Sequence, residues 1–247
     1  HSGGIKINNL VIRDGLSDAS IGLDIKGRLI DLTFSGRLSE RTLDTIFTQF
    51  KPRDGWVKGN FRIHIDLDQP LLFVAHGKIG LDHLSLPSQF GKALEIDDIS
   101  VDASGDRMTV DRANFVWGGK RLALSGDVGF SEKKIFLDLD LFAESVDVLA
   151  DLSPVKQIPS EEKKGRKDEA LQVQGTIRFK TNSLSYGRFA WSPFVAEVIL
   201  NPQGVEVTFR EANLCGISTP GSVKVENQNF SLDLRPFSKS QELQSAF

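Results

Sequence analysis

Apolar and polar residues alternate with period two along most of this chain. In "GNFRIHIDLD", Phe61, Ile63, Ile65 and Leu67 share one face, with Arg62, His64, Asp66 and Asp68 on the other. "KIFLDLDLFA" sets Ile135, Leu137, Leu139 and Leu141 against Asp138 and Asp140. "GTIRFKT" contributes Ile177 and Phe179, and "GVEVTFR" contributes Val205, Val207 and Phe209. Successive side chains of a strand point to opposite faces, so each run predicts a strand with one apolar and one wet side. Such strands belong to antiparallel sheets covered on a single face. Turn-forming clusters separate them: Arg53-Asp54-Gly55, Ser104-Gly105-Asp106 and Asn201-Pro202-Gln203-Gly204.

Two segments leave this period. In "LSERTLDTIFTQF", Leu43, Ile46, Phe47 and Phe50 recur at helical spacing. Ser39 is placed to cap that helix, Glu40 falls in its first turn, and Leu38 is placed to staple against Leu43. "ESVDVLADLSP" predicts a shorter helix, capped by Ser145 and ended before Pro154. The expected fold is all-β and mainly antiparallel: an elongated, curled sheet of repeated β-meander units with two short helices. The meander units are expected over 4–154, with helices near 39–50 and 144–152. Residues 155–170 mix both charge signs with Pro159 and Gly165 and read as a solvated linker. A further β unit of the same sheet is expected over 171–237, and a tail over 238–247.

Segments a hundred residues apart echo one another. Ala113-Asn114-Phe115-Val116 lines up with Ala212-Asn213-Leu214-Cys215, and "GNFRI" with "GTIRF". "DDISVD" near Ile99 corresponds more loosely to "VAEVIL" near Val198. Self-similarity at long period suggests stacked units that share edges. The same alignment makes Cys215, the single cysteine, the counterpart of Val116. It therefore reads as a small apolar residue in a strand or at its end. Pairing with a cysteine in a missing part of a longer chain is the alternative.

Composition narrows the function classes. Of 247 residues, 40% are hydrophobic and 26% charged, which suits a folded chain. A formal net charge of -3 offers no basic field, so nucleic acid is not an expected partner. No apolar run approaches the roughly 18 residues that span a bilayer. No basic stretch followed by an apolar one opens the chain, which reads as a piece of something longer.

Candidate chemistry is sparse. His64, Asp66 and Asp68 share a strand face, with His76 and His83 close behind, but side chains two apart on one straight strand sit too far apart to chelate. Asp97, Asp98, Asp102 and Asp106 lack the spacing of a calcium loop. Trp117-Gly118-Gly119-Lys120 is a tight turn rather than a phosphate loop. No nucleophile with a base stands out, so neither an enzyme, a metal site nor a cofactor is expected.

"LIDLTFSGRLSERTLDTIF", "ANFVWGGKRLALSGDVGF" followed by "SVDVLADL", and "SLSYGRFAWSPFVAEVIL" with "EANLCGIS" resemble the AsmA-like family, which includes TamB and YhdP relatives of the Gram-negative envelope. The resemblance spans nearly all of the chain except the charged segment. It implies an inner-membrane anchor that this chain lacks, a periplasmic body, and a long curled sheet with an apolar groove. It further implies a role in moving phospholipids toward the outer membrane, or in envelope assembly. Its partners would be phospholipid acyl chains and the remainder of a longer membrane-anchored chain.

Elementary physics is consistent with that picture. Two short helices are few to cover so many one-sided strands, and acyl chains lining a cleft gain about 0.8 kcal/mol per buried CH2. The candidate groove positions are the thirteen apolar-face residues of the four runs above, Phe61 through Phe209. A sheet closed on itself as a sandwich or barrel has the same alternation. A β-sandwich module that binds protein or glycan is the competing reading.

Overall fold

The structure is a computed structural model, and it describes residues 4–46, 55–69, 73–86, 94–131, 133–151, 172–226 and 229–238. Its fold class is all-β, as the alternation predicts. The strands are β1 (Ile5–Arg13), β2 (Asp18–Lys26), β3 (Leu29–Ser39), β4 (Trp56–Asp66), β5 (Val74–Leu86), β6 (Leu94–Gly105), β7 (Arg107–Trp117) and β8 (Lys120–Ser131). They continue as β9 (Lys134–Asp147), β10 (Gln172–Tyr186), β11 (Phe189–Asn201), β12 (Gly204–Leu214), β13 (Ile217–Ser218), β14 (Gly221–Glu226) and β15 (Asn229–Leu234). The helices are α1 (Glu40–Ile46) and α2 (Val148–Asp151). Each strand is hydrogen-bonded to its neighbour in chain order, save that β14 pairs with β12 and β13 lies beside β12 off that path.

The chain divides into two compact units, His1–Leu139 and Asp140–Phe247, with the boundary falling within the sequence of β9. In the first, register carries the alternation from strand to strand. Phe34 stands opposite Phe61, Leu32 opposite Ile63 and Ile30 opposite Ile65. Leu81 faces Val57 on one side and Ile99 on the other. Cross-strand partners share a face, so one side of the unit is a continuous apolar surface. In the second, Ile177 faces Val198 and Val198 faces Val207, while Phe179 faces Ala196 and Ala196 faces Phe209.

Glycine bends these long strands. Gly36 and Gly77 lie in strand interiors at φ 115° and 98°, and a Cβ on either would stand 2.2 Å or less from a neighbouring carbonyl oxygen. Only glycine meets both demands, and such sites mark strong local bends.

Helix α1 forms as its caps predict. The Thr42 N–H donates to Ser39 Oγ at 3.3 Å, and Leu43 packs against the cluster of Ala19, Phe34 and Leu38. Phe47 and Phe50 lie outside the described residues, as does the charged segment 155–170. The second helix is shorter than the expected 144–152. β9 runs on through Asp147, and among the described residues the helix is Val148–Asp151. The cause is lateral: Thr181 Oγ1 donates to the Glu144 carbonyl and Ser185 Oγ to that of Val146, both from β10. Ladder pairing on that flank outweighs a helical propensity weakened there by Ser145, Val146 and Asp147.

Candidate functional site

The candidate site is the apolar face, taken unit by unit. In the first unit Phe61, Ile63 and Ile65 lie on it, all half-buried. They surround a floor of small residues, Ala75 and Ala103, which Phe73 overhangs with its ring 4.6 Å from that of Phe130. In β9, Leu139 lies beside Gly126 while Phe136 lies beside Gly129. Alternation then puts Ile135, Leu137 and Leu139 on one face and the exposed Phe136 on the other. Leu139 is the most buried of the three.

Leu67 departs from the expectation. β4 ends at Asp66, and Leu67 sits in the following turn, exposed, with its N–H donating to the Arg28 carbonyl at 2.8 Å. The Asp66 carboxylate captures the Asp68 N–H at 2.8 Å as the strand ends, so Leu67 lies beyond the β4 face on which alternation placed it.

In the second unit Ile177, Phe179, Val205, Val207 and Phe209 fall on the apolar side and are half-buried, as is Leu141. The floor here is Ala196 and Ala212, closed by Phe194, whose ring stands 6.3 Å from Phe179 and 5.4 Å from Phe209. Each hydrophobic cluster draws its members from neighbouring strands, helped in one case by α1. The fully buried side chains are few: among the described residues the largest are Leu84, Glu40 and Thr181. Large apolar side chains on these faces keep part of their surface in water.

Sequence reasoning missed part of the surface. Leu32 and Phe34 belong to it, as do Ile79 and Val101, which pair with each other. The alternation in "LIDLTFSGRL" already carried the first two. Beside α1 a cleft of about 510 Å³ is lined by Leu10, Ile12, Leu16, Thr42 and Thr45, among others.

Glu40 was the larger surprise, because a first-turn glutamate ordinarily faces water. Here it is fully buried. Its carboxylate accepts the backbone N–H of Gly55 at 3.4 Å and of Ser85 at 3.3 Å, while its own N–H donates to the Gly55 carbonyl at 2.8 Å. The ladder between β4 and β5 ends at Trp56 and Asp82, and β5 turns at His83, whose φ is 50°. Beyond that kink the backbone of β5 has lost its partner on β4, and Glu40 supplies a substitute acceptor.

The opposite face is a lattice of polar pairs. His64 Nδ1 lies 2.7 Å from Asp31 Oδ1, His83 Nδ1 2.8 Å from Asp82 Oδ1, and the His76 ring accepts the Gly105 N–H. Arg112 and Asn114 converge on Asp98, Lys78 reaches Asp102, and Arg28 reaches Asp68. The three histidines thus sit with separate partners, and no group of three or more metal-ligating side chains comes together among the described residues. The Thr109 hydroxyl, with help from Arg107, holds the Asp127 carboxyl below the usual carboxylate range. Arg178 does the same for Asp140 through a two-pronged contact at 2.7 and 3.1 Å. Near α1, the Thr42 hydroxyl and then the Leu16 N–H lower Asp14 in the same sense.

Cys215 requires a correction. It is exposed, whereas Val116 is half-buried, and its φ is 49°. Leu214 pairs with Ile217, leaving Cys215 and Gly216 as a two-residue hairpin turn with both φ positive. The equivalent turn in the first unit is Gly118-Gly119, between Trp117 and Lys120. Cys215 therefore corresponds in the fold to Gly118 rather than to Val116, because β12 reaches its turn two residues sooner after the shared alanine. Asn213 stabilises the turn by accepting the Gly216 N–H at 2.8 Å.

No helix among the described residues is long and apolar enough to cross a membrane. No family model matches the chain, and no curated protein matches it in sequence.

Proposed function

We propose that this chain is a periplasmic lipid-handling segment of the AsmA-like kind, whose apolar face carries phospholipid acyl chains during transport or outer-membrane assembly. The observation that carries the reading is the half-buried state of Phe61, Ile63, Ile65, Phe179, Val207 and Phe209 around floors of alanine. A sealed core takes its large side chains out of water, whereas a surface that accepts acyl chains leaves them partly wet until the lipid arrives. The opposite face, laced with ion pairs, suits contact with water. On this reading the chain acts as a surface rather than a catalyst, and it is held at the membrane by a segment outside it.

Photoreactive residues test the proposal directly. Placed at Ile63 or Phe179, they are expected to label phospholipid in cells, and at Arg62 or Lys180 they are not. Equal labelling of both faces, or none on the apolar one, overturns the reading. Native mass spectrometry after gentle extraction gives a second readout, with co-purifying phospholipid as the expected result and a lipid-free chain as the adverse one.

A further inference from the structure

The apolar face of each unit runs out to an exposed aromatic hairpin tip. In the second unit Tyr186 pairs with Phe189 across the turn that joins β10 to β11, two residues beyond the pair Leu184 and Trp191. Leu184 and Trp191 pack against the Phe194 cluster, so the apolar face continues outward through them. The Phe189 ring stands 6.3 Å from that of Trp191. Tyr186 and Phe189 are 52% and 50% exposed, and Arg188 in the turn between them is exposed as well. The first unit has the same pattern. Trp117 pairs with Lys120 across the turn that joins β7 to β8, two residues beyond Phe115 and Leu122, and it is 42% exposed. Neither tip holds a carboxylate: 113–124 reads "ANFVWGGKRLAL" and 182–192 reads "NSLSYGRFAWS", in a chain with 33 acidic residues and a net charge of -3. The other ends of these strands are built differently. β7 follows the turn Ser104-Gly105-Asp106-Arg107 and β11 leads into Asn201-Pro202-Gln203-Gly204, and neither turn holds an aromatic residue.

We infer that these hairpin tips are bilayer-docking points, which seat their aromatic rings at the interface of a membrane bearing anionic lipid. An aromatic ring beside a basic residue suits that interface: the ring settles between headgroups and upper acyl chains while the cation stays with phosphate. The lack of acids matters equally, because anionic headgroups would repel a carboxylate there. A protein partner fits the tips less well. A specific protein interface covers on the order of 800 Å² on each side, whereas each tip offers one or two rings on a narrow turn. A bilayer can surround such a projection from every direction. The inference goes beyond lipid handling by the walls of the face, since it assigns where each unit meets a membrane.

Co-sedimentation of the whole chain with vesicles tests this, using phosphatidylethanolamine mixed with phosphatidylglycerol against phosphatidylcholine alone. The expected result is binding to the anionic vesicles that weakens as salt rises, and much weaker binding to the neutral ones. Tyr186→Ser combined with Phe189→Ser is expected to lower the affinity on the order of tenfold, and Arg188→Gln about fivefold. Trp117→Ser is expected to lower it while the second tip is intact. Gln203→Ser, at the other end of β11, is expected to leave it unchanged. Circular dichroism checks the fold, and Arg188→Gln carries the test if the double variant unfolds. A wild-type chain that stays in the supernatant with anionic vesicles overturns the inference, even where Ile63 and Phe179 label lipid in cells. So does equal binding to both kinds of vesicle, or binding that every tip variant retains in full. Vesicle binding lost with the tips, in a chain that leaves Ile63 and Phe179 unlabelled, supports docking and counts against the groove alone.

Discussion

Both units pack an aromatic ring on an alanine floor, Phe73 in the first and Phe194 in the second, but they brace their strands differently. Near α1 the first unit uses a polar brace: Glu40 ties the start of β4 to β5 beyond its kink, and Asp14, Ser17, Ser39 and Thr42 latch the β1–β2 turn to the helix. The second unit has no buried carboxylate among its described residues: there the buried Thr181 hydroxyl donates to the Glu144 and Ser183 carbonyls, and Phe194 packs with Ala196 and Ala212. A polar brace depends on geometry, because each buried N–H needs its acceptor. An aromatic lid depends on volume, because its contribution scales with the surface it covers.

The sharpest way to break the comparison is Phe194→Ala. Phe194 is 7% exposed and touches Phe179 and Phe209. Its removal is expected to destabilise the second unit by about 3 to 4 kcal/mol, as for other buried phenylalanines. Hydrogen exchange checks this: amides of β10 to β12 are expected to lose protection while those of β3 to β5 keep theirs. Equal loss in both units would show that the units do not close independently.

Glu40→Ala is the mirror experiment. It strands the N–H groups of Gly55 and Ser85 in a buried place, at a cost of about 2 to 3 kcal/mol. Protection is expected to fall around the start of β4, the end of β5 and α1, with β10 to β12 unaffected. Glu40→Gln keeps one acceptor oxygen and is expected to lose less. A Glu40→Ala protein as stable as the wild type would show that water replaces the carboxylate freely.

How much of this was legible in the chain follows from the range of the forces involved. Period-two alternation reports which face each residue takes, and Phe61, Ile63, Ile177 and Val207 all sit where it placed them. Ser39 and Leu38 announced α1 because capping is local. Leu67 was misjudged because the pattern does not say where a ladder stops, and an aspartate capture two residues later decides that. Glu40 was placed in the first turn of α1, and its burial was not legible because its partners are 15 and 45 positions away. The one available hint was Gly55, whose Cβ would stand 2.3 Å from the His83 carbonyl oxygen, yet in sequence it resembles any turn glycine. The echo between Val116 and Cys215 misled because it compared letters and not distances to the turn. Lipid handling was suggested by resemblance rather than by any motif, since an apolar face has no residue-level signature.

The two hairpin turns offer a smaller contrast of the same kind. Gly118-Gly119 adopts positive φ without strain, whereas Cys215 at φ 49° carries a side chain in the left-handed region. Two-residue turns of this geometry favour Asn-Gly. Cys215→Asn is therefore expected to stabilise the second unit by up to about 1 kcal/mol, read as a raised denaturation midpoint. Cys215→Ala is expected to cost little in packing because the thiol is exposed. A destabilised Cys215→Asn would mean that the thiol makes a contact its exposure conceals.

The smallest expected effect is electrostatic, and it sharpens the comparison at the polar faces. In the second unit Arg178 lowers the Asp140 pKa, and in the first Thr109 with Arg107 lowers that of Asp127. A carboxyl whose folded pKa is depressed binds its proton less readily than in the unfolded chain. Its stabilisation is therefore complete above the unfolded value of about 3.9 and fades as pH falls through the lower, folded value. With the Asp140 side chain 58% exposed, solvent screens most of this, so the contribution is small. Asp140→Asn is expected to lower the melting temperature slightly at pH 7 and to lose that difference as pH falls through the depressed, folded pKa, where the wild-type carboxyl becomes protonated as well. Asp127→Asn should behave alike but act on the first unit, which hydrogen exchange resolves. If the Asp140→Asn deficit persisted unchanged at low pH, the contact with Arg178 would be acting through packing of the guanidinium rather than through charge.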